Sequence, residues 1–123
     1  MKFSRQQFDD LVAKAVDGIP PEFREKLDNV YVTVEDHPTP EDYQEAGLGP
    51  GELLLGLYRG VPLRERSPFA PIAMPDHIAI FQRPIETVCR TRAEIVEEIR
   101  RTVLHEVAHH FGLSEERIDE LGY

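Results

Sequence analysis

Cysteine occurs once in the 123 residues, at Cys89. No intramolecular disulfide can form, a Cys-type zinc site is excluded, and nothing in the thiol content points to an oxidising compartment. The residue itself reads as a small buried hydrophobe. Cations are also scarce. Fourteen Lys and Arg face 23 Asp and Glu, leaving a formal charge of −9. That field repels phosphate backbones and anionic bilayers, so neither nucleic acid nor membrane is expected as a partner. Long apolar runs are missing too: none approaches the roughly 20 residues of a membrane span, and no basic, apolar leader opens the chain. A soluble, cytoplasmic protein is the expectation. No repeat or low-complexity tract appears. What is present is 41% hydrophobic residues, enough for one core and a single domain over residues 1–123.

Local signals place the elements. Ser4 with Gln7 forms a capping box, and Phe3 with Phe8 a hydrophobic staple, for a helix that runs to about Asp17 and stops at Gly18. Pro20-Pro21 opens a short second helix over PEFREKLDN. VYVTVED alternates Val30, Val32 and Val34 against Tyr31, Thr33 and Glu35, the pattern of a half-buried strand. Residues 37–51 are rich in proline and glycine and read as a loop with one helical turn near Glu41–Ala46. ELLLGLYRG reads as a second strand, VPLRERSPFAPIAMPD as an irregular connection, and HIAIFQ as a short strand apolar on both faces. Helices at both ends and strands between them predict an α+β domain with a short mixed sheet.

The last long helix should start at Thr91, capped with Glu94, and end at Gly112. Its core face holds Ile95, Val96, Ile99, Val103, Leu104, Val107 and Phe111, and His110 projects into the same apolar arc. His105 and His109 lie outside that arc, about 40° apart on the helical wheel. Two imidazoles one turn apart can both reach a tetrahedral Zn²⁺ at about 2.0–2.1 Å, because side chains at i and i+4 lean the same way. Glu106, next to the first histidine, is poorly placed as a ligand but can take a proton from a water activated by the metal. Histidines near a helix C-terminus are also favoured by the macrodipole alone. The glutamate between them is what a merely solvated or structural site does not need.

A catalytic zinc needs a third protein ligand and an open position. Fourteen residues follow His109, which argues against a glutamate from a distant downstream helix. Gly112 offers a left-handed turn back toward the metal, and three residues beyond it stands Glu115. Ser114 can cap a last helix, SEERIDEL, whose first turn favours Glu115 and Glu116 through the dipole even without a metal. Asp119, one turn on, is the alternative ligand.

HEVAHHFG followed by SEE resembles the extended zincin signature His-Glu-x-x-His-x-x-Gly-x-x-(Asp or His), and the short acidic chain resembles the bacterial mini-zincins, minimal zincin-like metallopeptidases. The close resemblance covers residues 104–122. It implies a small zincin-like domain with N-terminal helices and a C-terminal motif helix, His105 and His109 as zinc ligands, Glu106 as the catalytic glutamate, and Glu115 at the third-ligand position. There this chain departs from the pattern by carrying glutamate for aspartate. The resemblance also implies that HIAIFQ is an edge strand pairing with an extended peptide by β-augmentation; its two apolar faces fit an ordinary central strand instead. The site should be shallow, and the resemblance identifies no transition-state stabiliser. Two functions follow: a zinc-dependent peptidase acting on a peptide or protein substrate, or a metal-binding module that keeps the scaffold and holds a partner without turnover.

Overall fold

The computed structural model describes residues 2–49, 51–60 and 76–123. Helix α1 spans Arg5–Asp17 and starts at the Ser4–Gln7 capping box, with Phe3 and Phe8 both buried in the main core. Helix α2 (Pro21–Arg24) runs into a 3₁₀ turn at Glu25–Leu27. Strand β1 (Tyr31–Glu35), helix α3 (Pro40–Glu45), strand β2 (Gly56–Arg59) and strand β3 (His77–Phe81) follow. Helix α4 (Gln82–Val88), the long helix α5 (Arg92–Phe111) and the short α6 (Glu115–Glu120) complete the order. Residues 61–75 of the expected irregular connection lie outside the described residues.

The sheet runs β1-β3-β2, with β1 parallel and β2 antiparallel to β3. HIAIF is therefore the central strand, as its two apolar faces suggest, and not the substrate-pairing edge that the zincin resemblance implies. Its apolar character on both faces follows: Ile78 and Ile80 meet Val32, Val34 and the inner faces of α1 and α5, whereas Ala79 and Phe81 pack with Leu54, Leu57, Tyr43 and Leu48 beneath α3. The edge beside the motif helix is β2.

Helix α4 is absent from the sequence reading, where Gln82 closes the preceding strand. Pro84 is tolerated because it falls in the first turn, where backbone N–H groups have no partner within the helix. Buried Gln82 and Glu86 then fasten the N-terminal segment: Phe3 N–H donates to Glu86 at 2.7 Å, and the Gln82 amide donates to Phe3 C=O at 2.9 Å. Arg100 performs a similar task on α5. Its Nε donates to Ala15 C=O at 3.0 Å, a second bond to a carbonyl in the last turn of α1 that also accepts Gly18 N–H at 3.2 Å.

Candidate active site

Helix α5 has the capping box at Thr91 and ends at Gly112, whose φ of 66° is left-handed. Val103, Leu104, Val107 and Ala108 are buried, and this fixes His105, Glu106 and His109 on the rim toward β2. Two residues of the expected core face lie elsewhere. Phe111 is 39% exposed, and His110, also exposed, stacks on Tyr58 with ring centroids 3.6 Å apart. The last turn lies against Tyr58 and Lys26 at the surface, where its side of the apolar arc meets no core.

The chain then reverses. Leu113 N–H donates to Ala108 C=O at 2.9 Å, Ser114 caps α6, and Ile118, fully buried, pins α6 to the core. Arg117 adds an exposed ion pair to Glu22 at 2.9 Å. This docking delivers Glu115 to the imidazoles: its Oε1 lies 3.4 Å from His105 Nδ1 and 2.5 Å from His109 Nε2. Hydrogen bonds from His105 and His109 hold its carboxyl below the usual range. No contact joins Glu116 or Asp119 to either imidazole among the described residues. The side chains of His109 and Glu115 are 64% and 48% exposed, so water reaches the cluster freely.

Glu106 sits deeper, with 19% of its side chain exposed. Its Oε1 accepts the backbone N–H of Tyr58 at 2.8 Å. That donor is available because, among the described residues, β2 pairs with β3 on one side only. Burial pushes the Glu106 carboxyl up, against the Tyr58 N–H and the imidazoles, which oppose the shift. Its Oε2 is 3.9 Å from His109 Nδ1.

The approach of α5 to β2 depends on Gly56, where a Cβ would stand 2.6 Å from Thr102 Cγ2 and 3.0 Å from Ala79 O. Tyr58 is further fixed by its hydroxyl, which donates to Asp76 at 2.9 Å; burial, then the Asp76 carboxylate, raises its pKa. Neither Gly56 nor Tyr58 stands out in the sequence, since only strand pairing brings Tyr58 across 48 positions to Glu106. Tyr123 is turned elsewhere, its hydroxyl 3.2 Å from Arg100.

Two hollows flank Glu106. One, of about 440 Å³, is lined by Leu48, Leu54, Tyr58, His109 and His110. The other, of about 210 Å³, is lined by Leu55, Glu98, Arg101, Thr102 and His105. A larger cleft of about 1060 Å³ lies on the opposite side of the molecule, between α1, α2 and β1. Size therefore does not mark the site; convergent donors do.

The sequence profile of the zincin-like metallopeptidases matches residues 27–123. The chain belongs to the zincin-like metallopeptidase family. A solved structure of a conserved hypothetical protein from Thermo thermophilus is similar at 28% identity, with a TM-score of 0.57 over 89% of this chain and 94% of that one. No curated protein matches significantly. No helix among the described residues is long and apolar enough to cross a membrane.

Membership in a metallopeptidase family implies a metal, and the residues can be tested against one. Two imidazole nitrogens and a carboxylate oxygen form a donor set found in catalytic zinc sites. Among the described residues no three side chains stand as a ready cage. Glu115 is in direct hydrogen bond with His109 at 2.5 Å, whereas two donors sharing one tetrahedral zinc stand about 3.3 Å apart. The donor chemistry fits zinc once the exposed carboxylate draws back.

Proposed function

We propose that this zincin-like protein is a zinc-dependent metallopeptidase that hydrolyses peptide bonds in peptide or protein substrates. His105, His109 and Glu115 would hold the zinc, and Glu106 would be the general base. The observation that supports this most is the placement of Glu106, a carboxylate next to the three convergent donors and oriented by the backbone N–H of an edge strand. A purely structural metal site needs no such group.

Bound zinc would supply Lewis acidity, making a water at the site a nucleophile near neutral pH and polarising the scissile carbonyl. The chain does the rest. Tyr58 N–H occupies Oε1 of Glu106 and leaves Oε2 to accept the water's proton and pass it to the leaving amine. Partial burial raises the proton affinity of that carboxylate, which suits a base. An extended substrate would lie along the outer edge of β2, pairing with outward groups other than Tyr58 N–H, which Glu106 holds, with side chains entering the hollows beside Glu106.

The purified protein should bind about one zinc per chain. His105→Ala and His109→Ala should each abolish binding, and Glu115→Ala should weaken it far more than Asp119→Ala in chelator competition. Glu106→Gln should keep fold and zinc yet lose at least about a hundredfold in zinc-dependent cleavage of an unfolded peptide library. Equal cleavage by both proteins would refute Glu106 as the base. Equal peptide binding with no cleavage by either would instead establish a non-catalytic metal-binding module.

A further inference from the structure

We infer that the open edge of β1, with the cleft between it and helices α1 and α2, is a docking site for an extended, apolar segment of another protein flanked by Lys or Arg. This surface is separate from the site proposed above. Among the described residues β1 and β2 are the outer strands, about 10 Å apart across β3.

The backbone supplies the first reason. Among the described residues β1 pairs with β3 alone, in parallel register, and Tyr31 N–H donates to Asp76 C=O at 3.2 Å. Strand alternation then turns Thr33 and Glu35 toward β3 as well, and directs the N–H and C=O of Val32 and Val34 to the open side. Arg5 covers one of these groups, donating to Val34 C=O at 2.9 Å. Among the described residues Val32 N–H, Val32 C=O and Val34 N–H have no partner. An edge of this kind is a template for one more strand unless something blunts it.

Side chains supply the second. The cleft beside this edge holds about 1060 Å³ and is floored by Val12, Val16, Leu27, Val32 and Val34. Tyr31 stands on its rim with 63% of its surface exposed.

Charge selects the occupant. Among the described residues, Asp9, Asp17, Glu25 and Asp28 line the cleft against the single cation Arg24, a steeper imbalance than the chain's 23 to 14. None of the four carboxylates is in an ion pair among the described residues. A second copy of the chain would bring the same carboxylates and a net charge of −9, so self-pairing is opposed where a basic partner is attracted. An added strand would place alternate apolar side chains on the floor, and long basic side chains would carry their charge to the rim.

The probe is a fluorescein-labelled peptide of alternating valine and threonine with two lysines at each end, titrated with full-length protein and followed by anisotropy. Saturable binding that weakens with added salt is expected. The exposed pair Asp17→Lys and Asp28→Lys together should raise Kd by about tenfold or more. Val32→Pro, which deletes an outward donor, should do the same with unchanged circular dichroism. Should that variant fail to fold, a probe N-methylated at alternate residues tests strand pairing on the native protein and should bind at least about tenfold more weakly. The inference is overturned if a glutamate-flanked peptide binds equally well, or if charge reversal and N-methylation leave Kd unchanged. Absence of binding up to about 1 mM also overturns it. So does concentration-dependent dimerisation that the peptide does not compete, which would assign the edge to a second copy.

Discussion

Replacing Gly56 with alanine should separate α5 from β2. The added Cβ would meet Thr102 Cγ2 at 2.6 Å, Ala79 O at 3.0 Å and Ile80 Cδ1 at 3.3 Å. Carbon atoms rest about 3.5–4.0 Å apart, so the first contact must open by roughly 1 Å. Thr102 cannot simply rotate away, because its hydroxyl donates to Glu98 C=O at 2.8 Å, and the Ala79 carbonyl belongs to the central strand. Overpacking of one such group costs about 1–3 kcal/mol. At about 2 kcal/mol, a chain of this length should lose roughly 6–12 °C in Tm. The functional effect should be larger than the thermal one, since the same movement stretches the 2.8 Å bond from Tyr58 N–H to Glu106. Scanning calorimetry on four proteins decides the matter: wild type, Gly56→Ala, Thr102→Ser and the double variant. Thr102→Ser removes the clashing methyl and keeps the hydroxyl, so Gly56→Ala should cost at least about 1 kcal/mol less in that background. An identical cost in both backgrounds, or an unchanged Tm in the single variant, would refute the close-approach reasoning.

Two further outcomes follow from the fold. For Glu86, burial alone would raise the carboxyl, but bonds from Phe3 N–H, Arg83 and Gln82 together hold it below its usual value; a depressed folded pKa gives stability that is full above the unfolded pKa of about 4.3 and lost as pH falls through the folded value. Acid titration of Tm should therefore fall less steeply in Glu86→Gln than in wild type, the difference staying under about 1.4 kcal/mol per pH unit; parallel curves would exclude Glu86 as a contributor. At Gly112, where φ is 66° and a Cβ meets nothing within 4 Å, alanine should cost about 1–2 kcal/mol through the left-handed backbone alone and asparagine less. Urea unfolding that ranks alanine at or above asparagine would contradict this.

Sequence made the helices legible where caps and periodicity coincide. Ser4 with Gln7, Thr91 with Glu94, and Gly112 mark boundaries that the structure keeps, because capping depends on groups three or four residues apart. The convergence of His105, His109 and Glu115 was legible for the same reason: one helix and one tight turn contain all three. What could not be read depends on distant pairing. Tyr58 reaches Glu106 only through the pairing of β2 with β3. His110 and Phe111 were misplaced because a helical wheel assumes a core along the whole helix. Helix α4 was hidden because a proline in a first turn looks, in sequence, like a break.

The docking of α6 couples two events that are usually measured apart. A helix of six residues is too short to persist alone in water. Its hold on the body rests largely on Ile118, the Arg117–Glu22 pair and the hydrogen bond between Tyr123 and Arg100. Glu115 is carried on that segment, so occupancy of the proposed metal site and attachment of the tail are two readings of one equilibrium. Amide exchange along residues 115–120 should slow as zinc is added and quicken under chelation. Free zinc would then set how much of the population has its tail closed, and proteolytic nicking of that tail would serve as a measure of metal supply.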